Sequence, residues 1–110
     1  MFQKDIWLTN LNPTRGREQS GKRPVVVVSG DTMNQNFDVV ITCPISSKVK
    51  NFASCVLLRK DTRNNLASDS EVITFQIRTV SKDRLFRKIG EVSDGDLRYI
   101  KAGIAAVLTY

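Results

Sequence analysis

Four consecutive valines, Val25–Val28, set the first limit on what this chain can fold into. β-Branched side chains are stiff at χ1 and pack well on a pleated surface. An unbroken apolar run of them reads as a strand buried on both faces. The run follows Pro24 directly and ends at Ser29. A chain of 110 residues has room for one domain built around such a strand, so residues 1–110 are read as a single unit.

Other segments supply the partners. "DIWLTNL" (5–11) alternates Ile6 and Leu8 with Trp7 and Thr9. "DVVITCPIS" (38–46) predicts a third strand, interrupted near Pro44 because proline cannot donate to a ladder. "SCVLLRK" (54–60), "EVITFQIRTV" (71–80) and "RLFRKIGEV" (84–92) predict a fourth, fifth and sixth. "DTMNQNF" (31–37) is a polar connection with room for a helical turn, and "DTRNNLASD" (61–69) is turn-rich. Only the tail, Ser93 to Tyr110, has helical periodicity. Ser93 and Asp96 make a capping-box-like start, and Leu97, Ile100, Ile104, Val107 and Leu108 share one face. The pattern predicts a mainly β domain: a twisted, mostly antiparallel sheet or half-open barrel with a helix packed across it.

The connection between the first two strands is unusual. Strand connections commonly take two to five residues, yet "PTRGREQSGKRP" (13–24) is about twice as long. It carries Arg15, Arg17, Lys22 and Arg23 around one acid, Glu18, with glycines at 16 and 21 for bends. Arg23 stands at the mouth of the valine strand, where the backbone would fix its guanidinium, and a planar fork of donors suits a phosphate. Charges that keep a sheet edge soluble are the competing reading of the same loop.

Composition narrows the chemistry. The 17 basic and 11 acidic residues give a net charge of +6. The pI is near 9.7. That balance suits a polyanion, an acidic protein partner or simple solubility. The chain has no histidine, so the usual general acid and base is absent and a transition-metal site is not expected. Cys43 and Cys55 lack metal-site spacing and read as reduced, small hydrophobes rather than a disulfide. No stretch approaches the roughly 18 apolar residues of a membrane span. "MFQKDIWL" lacks the apolar run of a signal peptide, so a cytoplasmic location is expected. Neither a metal nor another cofactor is expected.

Outside the loop, Ser46 closes the third strand and reads, from the residues alone, as a turn-forming serine at a strand end. Gln76 is a strand glutamine or an amide that reads a base edge. Arg78 reads as a structural or surface charge. "KDRLFRK" (82–88) mixes Phe86 with cations, which suits RNA stacking, but it reads better as a strand with an apolar inner and a basic outer face.

"DIWLTNLNPTRGREQSGKRPVVVVS" resembles the N-terminal signature of the MazF/PemK (Kid) family of toxin endoribonucleases. That signature is an opening strand, Pro, a Gly-x-Glu-Gln stretch, Gly, then Arg-Pro before a valine-rich strand. "PISSKVKNFA" and "FQIRTVSKDRL" resemble two later blocks of the family at about the right distances. The resemblance implies an SH3-like small barrel with a C-terminal helix (the fold shared with CcdB), a homodimer, and a toxin neutralised by an acidic, partly disordered cognate antitoxin. It implies sequence-specific, metal-independent cleavage of single-stranded RNA, mRNA included. In that reaction the 2′-hydroxyl attacks the neighbouring phosphorus and leaves a 2′,3′-cyclic phosphate and a 5′-hydroxyl. Carried over position by position, the catalytic arginine is Arg23, the hydroxyl at the end of the third strand is Ser46, and the loop glutamate is Glu18. Arg15, Arg17, Gln19, Lys22 and Gln76 are the implied RNA contacts.

The chain also departs from the family. Kid-type members place an arginine and an aspartate before Gln-x-Arg, where this chain has Ile73 and Phe75. Their loop has a histidine where this chain has Arg17. The arrangement of Arg23 with Ser46 therefore matches the MazF branch. A gyrase poison of the same fold, CcdB-like, is the alternative from another class, but the tail "GIAAVLTY" lacks that family's tryptophan-containing ending. A catalytically weak RNA-binding relative is the third reading, since Ser46 stands where threonine is usual.

Overall fold

The computed structural model describes residues 1–10 and 22–110. Among them seven strands, all paired antiparallel, run in the order β1 (Asp5–Asn10), β2 (Lys22–Val27), β3 (Val39–Ser46), β4 (Val56–Leu58), β5 (Ser70–Val72), β6 (Arg78–Ser81) and β7 (Leu85–Glu91). A short helix, α1 (Asp31–Asn36), follows β2, and α2 (Asp94–Thr109) ends the chain.

The valine strand lies where its sequence requires. β2 pairs with β1 on one edge and β3 on the other, and Val25, Val26 and Val27 are all buried. Its two faces serve two cores. Val25 and Val27 pack with Val40, Val80 and Leu85, while Val26 and Val28 join Ile6, Cys43, Ile45, Leu58, Val72, Leu97 and Ile100 beneath α2.

The sheet curls for a topological reason. Pairings place β6, β3, β2, β1 and β7 side by side, with β6 and β7 at opposite edges. Only a 3-10 turn, Lys82–Arg84, links those edges, so the five strands must bend toward closure around the first core. Register shifts between β1 and β7, at Ile6/Trp7 and Leu8/Thr9, add the local bend that closure needs.

β3 continues unbroken through Pro44, unlike the interruption its sequence predicts. The proline instead marks a change of partner. Residues 39–42 pair with β6, and Ile45 and Ser46 pair with β5. Pro44 offers only its carbonyl, which accepts the Ile73 N–H at 2.9 Å. The same change divides the expected fifth strand. A 3-10 turn over Thr74–Gln76 carries the chain from β5 across to β6. The expected fourth strand shrinks to Val56–Leu58.

α2 starts as its cap predicts: the Ser93 hydroxyl accepts the Asp96 N–H at 3.0 Å. Leu97 and Ile100 are buried and Ile104 packs against the core, but Leu108 is 78% exposed because the last turn projects past the residues that bury the first two. The "KDRLFRK" segment presents one apolar residue inward. Leu85 takes the inward position on β7, and Phe86 faces outward with the Lys22 Nζ 5.4 Å above its ring.

Candidate nucleic-acid interface

β2 carries Arg23 at the rim of the sheet, opposite Thr9 in the β1 register. Val25 and Val27 are locked in the core, so the Arg23 backbone is held by a strand rather than by a loop. Two clefts meet at this residue. The first, of about 340 Å³, has Lys22, Arg23, Ser46, Ser47, Lys48 and Ser68 on its walls. The second, of about 220 Å³, is lined by Arg23, Thr42, Pro44, Gln76, Arg78 and Val80.

Arg23 therefore shares one cleft with Lys22 and Ser46 and the other with Gln76. The change of partner at Pro44 explains the geometry. Ser46 lies beyond it beside β5, while Thr42 lies before it beside Arg78 on β6. Arg23 sits against the strand that connects the two. Arg15, Arg17, Glu18 and Gln19 lie outside the described residues. The ends of their segment are fixed, since Asn10 and Lys22 are paired across β1 and β2 at the lip of the larger cleft.

Ser46 is half-buried on the wall of the larger cleft and has a local bond. Its hydroxyl oxygen accepts the Lys48 N–H at 3.1 Å, which is the turn-forming role. That bond uses one acceptor lone pair and leaves the O–H proton to donate elsewhere. The two readings of Ser46 are thus compatible.

Glu71 gives a clearer signal than any residue singled out from sequence. It pairs with Ser46 across β3 and β5 and is 2% exposed. Its carboxylate accepts the Lys50 N–H at 3.0 Å and the Phe52 N–H at 3.1 Å. Asn51 between them has a φ of 57°, the left-handed conformation that asparagine tolerates, and this turns both N–H groups to one side. The segment leaving the cleft after Ser46 is thereby tied back to β5. Arg78, which reads in sequence as a structural or surface charge, lines the second cleft together with Arg23.

Both cysteines are free. Cys43 is buried in the core and its thiol is pushed up to about 12, first by burial and then by the neighbouring Cys55. No helix among the described residues is long and apolar enough to cross a membrane.

A model of the PemK-like, MazF-like toxins of type II toxin–antitoxin systems matches residues 2–108. The chain belongs to that family. The Endoribonuclease MazF of Staphylococcus saprophyticus is 33% identical over 106 residues, which cover 94% of this chain and 88% of that protein. Among solved structures, a MazE–MazF complex from Deinococcus radiodurans superposes with a TM-score of 0.81 at 21% identity, covering 98% of this chain and 95% of that one. A mycobacterial endoribonuclease solved with its cognate antitoxin gives a TM-score of 0.81 at 18% identity, with 98% and 94% covered. These two superpositions carry the fold: the seven-stranded antiparallel sheet with its C-terminal helix is that of the MazF toxins.

Proposed function

We propose that this toxin is a metal-independent endoribonuclease that cuts single-stranded RNA, mRNA included, at short sequence motifs and is neutralised by an acidic antitoxin. The observation that carries the reading is Arg23. It is a strand-held guanidinium on the walls of two clefts, one with a serine hydroxyl and lysines, the other with an amide and a second arginine.

Cleavage through the 2′-hydroxyl has three requirements: the 2′ proton leaves, the 5′ oxygen gains a proton, and the phosphorane's added charge is neutralised. No external water enters the first step, and the products are a 2′,3′-cyclic phosphate and a 5′-hydroxyl. Arginine remains protonated at working pH, so Arg23 acts as donor to the equatorial oxygens. Donors fixed before the reaction cost no reorganisation as charge develops. Ser46, on the same cleft, donates its O–H to the same phosphate. Glu18 accepts the 2′ proton in this reading. Lys22, Arg15, Arg17 and Gln19 hold the backbone on the loop side, and Gln76 offers an amide to a flanking base.

The same basic surface suits an acidic antitoxin, whose presence would exclude RNA from the clefts. Relatives solved with their antitoxins make this partner the expected one. We include in the reading a homodimer in the cytoplasm.

The deciding experiment incubates the purified chain with a long, weakly structured RNA in excess EDTA, with fragment ends mapped by primer extension. Discrete cuts are expected. Arg23→Ala should lower the rate on the order of 100- to 1,000-fold, the usual loss when one such donor is removed. Equal cutting by both proteins would refute the role of Arg23. No cutting by either would refute the nuclease reading and direct attention to gyrase supercoiling.

A further inference from the structure

Phe52 and Phe75 stand outside both hydrophobic cores and against each other. They are 45% and 47% exposed, and their rings meet edge to face, with centroids 5.4 Å apart and planes at 84°. Single exposed apolar residues on a surface need no explanation. This pair differs because both of its backbones are held from below.

The supports are buried and specific. Glu71 ties the N–H of Phe52 itself and that of Lys50 to β5. A buried carboxylate carries a desolvation cost, so such a residue is an expensive way to fix a surface loop. Two residues further on, the Ser54 carbonyl accepts the Thr74 hydroxyl at 2.8 Å, joining the Phe52 segment to the 3-10 turn that carries Phe75. α2 closes over this junction at Gly103, where a Cβ would lie 2.2 Å from the Ser54 oxygen and 3.0 Å from Thr74 Cγ2. Two half-exposed rings are thus mounted on a fixed base.

Their position connects them with the clefts. Phe75 immediately precedes Gln76, and Phe52 lies on the segment that leaves the larger cleft after Ser46. Lys48 and Lys50 are exposed on that same segment. Aromatic faces interleaved with cations are the surface chemistry of single-strand binding, in which bases stack on rings while cations follow the phosphates.

We propose that Phe52 and Phe75 form a stacking platform for one base of the bound RNA, and that Glu71 is a positioning residue for it. The proposal rests on the RNA-cleaving reading above and adds the element that grips a base beside the cut. Neither ring touches a reacting atom, so the platform acts on binding and on the choice of site.

The test compares the full chain with Phe52→Ala, Phe75→Ala, Phe75→Tyr and Glu71→Gln, with Arg23→Ala as reference. Cleavage sites are first mapped on a long RNA. KM and kcat are then measured on a short RNA containing one site. Separately, noncleavable 2′-deoxy oligonucleotides carrying 2-aminopurine at successive positions report stacking by fluorescence quenching.

Each alanine variant is expected to raise KM about tenfold, within the range for loss of one base–aromatic stack. Its kcat should stay within about twofold, because the reacting groups are untouched. Quenching at one position should disappear and the sequence preference there should relax. Phe75→Tyr, which keeps the ring, should retain both. Glu71→Gln should raise KM with little change in kcat. Unchanged KM, motif and quenching in both alanine variants would overturn the proposal. So would unchanged RNA parameters with weakened self-association in sedimentation, which would assign the rings to a second copy of the chain. Should the parent chain fail to cut RNA, the nuclease reading falls, while the quenching experiment still decides the platform.

Discussion

The same substitution at two positions of α2 should have opposite effects. In a helix, glycine to alanine normally stabilises by about 0.5–1 kcal/mol, because the unfolded chain loses less entropy on ordering. At Gly95 a Cβ would find only the Ser93 hydroxyl at 3.8 Å and an Arg98 nitrogen at 4.0 Å, both ordinary contacts. Gly95→Ala should therefore gain about 0.5 kcal/mol. At Gly103 the added Cβ would sit 2.2 Å from the Ser54 backbone oxygen, where ordinary contact begins near 3.4 Å. α2 or the Ser54 segment would have to retreat by about an ångström, and neither is a side chain that can swing aside. Retreat pulls Ser54 from the Thr74 hydroxyl, a bond worth about 1 kcal/mol, or lifts α2 from the core beneath Ile100. Overpacking of this kind costs about 1–3 kcal/mol, which exceeds the propensity gain. With an unfolding entropy of about 0.23 kcal/mol per kelvin for a chain of this length, Gly103→Ala should lower Tm by about 4–13 °C, whereas Gly95→Ala should raise it by about 2 °C. Thermal denaturation followed by circular dichroism measures both. A Gly103→Ala protein as stable as its parent would refute the claim that glycine is required by the close approach of α2.

Two further predictions concern buried groups. Glu71→Ala removes two charge-assisted bonds to backbone N–H groups, and about 2 kcal/mol of stability should go with them after the relief of desolvation. Trypsin should also cut faster after Lys48 or Lys50 once that segment is released, and an unchanged cutting rate would count against Glu71 as its anchor. A thiol reagent should label Cys55 in the native chain and reach Cys43 only on unfolding, since Cys43 is fully buried. Its folded pKa of about 12 lies above the ordinary 9.0 of the thiol. The stability it contributes is thus intact below about pH 9 and is lost as pH rises toward 12, because only the unfolded thiol ionises in that window. Denaturation at a series of alkaline pH values, on the parent and on Cys43→Ala, isolates that loss.

The strands that were easiest to read in the sequence are those whose burial is the same along their length. Val25–Val28 is apolar at every position because β2 has a core on each face, and the run could not be mistaken for a loop. The helix was equally legible, since Ser93, Leu97 and Ile100 combine a cap with a 3.6-residue period. The fifth strand was misread for a corresponding reason. "EVITFQIRTV" is rich in β-branched and aromatic residues throughout, yet it contains a turn between two strands that pair with different halves of β3. The turn follows from Pro44, some thirty residues earlier, through a backbone bond that local propensity does not encode. Tertiary pairing overrode propensity there.

The site follows the same division. The strands that carry Arg23 and Ser46 were legible, and each residue lies at or next to a strand end. The link between them was not readable, because it depends on which strand crosses between two sheets. Glu71 was hidden more thoroughly. In sequence it is an acid heading an apolar run, which normally marks a solvent-facing strand end. Here it points inward because the segment after Ser46 brings two N–H groups to it, one on each side of a left-handed asparagine. Neither Glu71 nor Asn51 has a detectable meaning alone, since each is costly without the other. That mutual dependence gives a reason for Phe75 as well. Its ring meets another phenylalanine on a segment held by that buried acid. A carboxylate at position 75 would replace the ring that meets Phe52 edge to face, so Phe75→Asp should remove the contact.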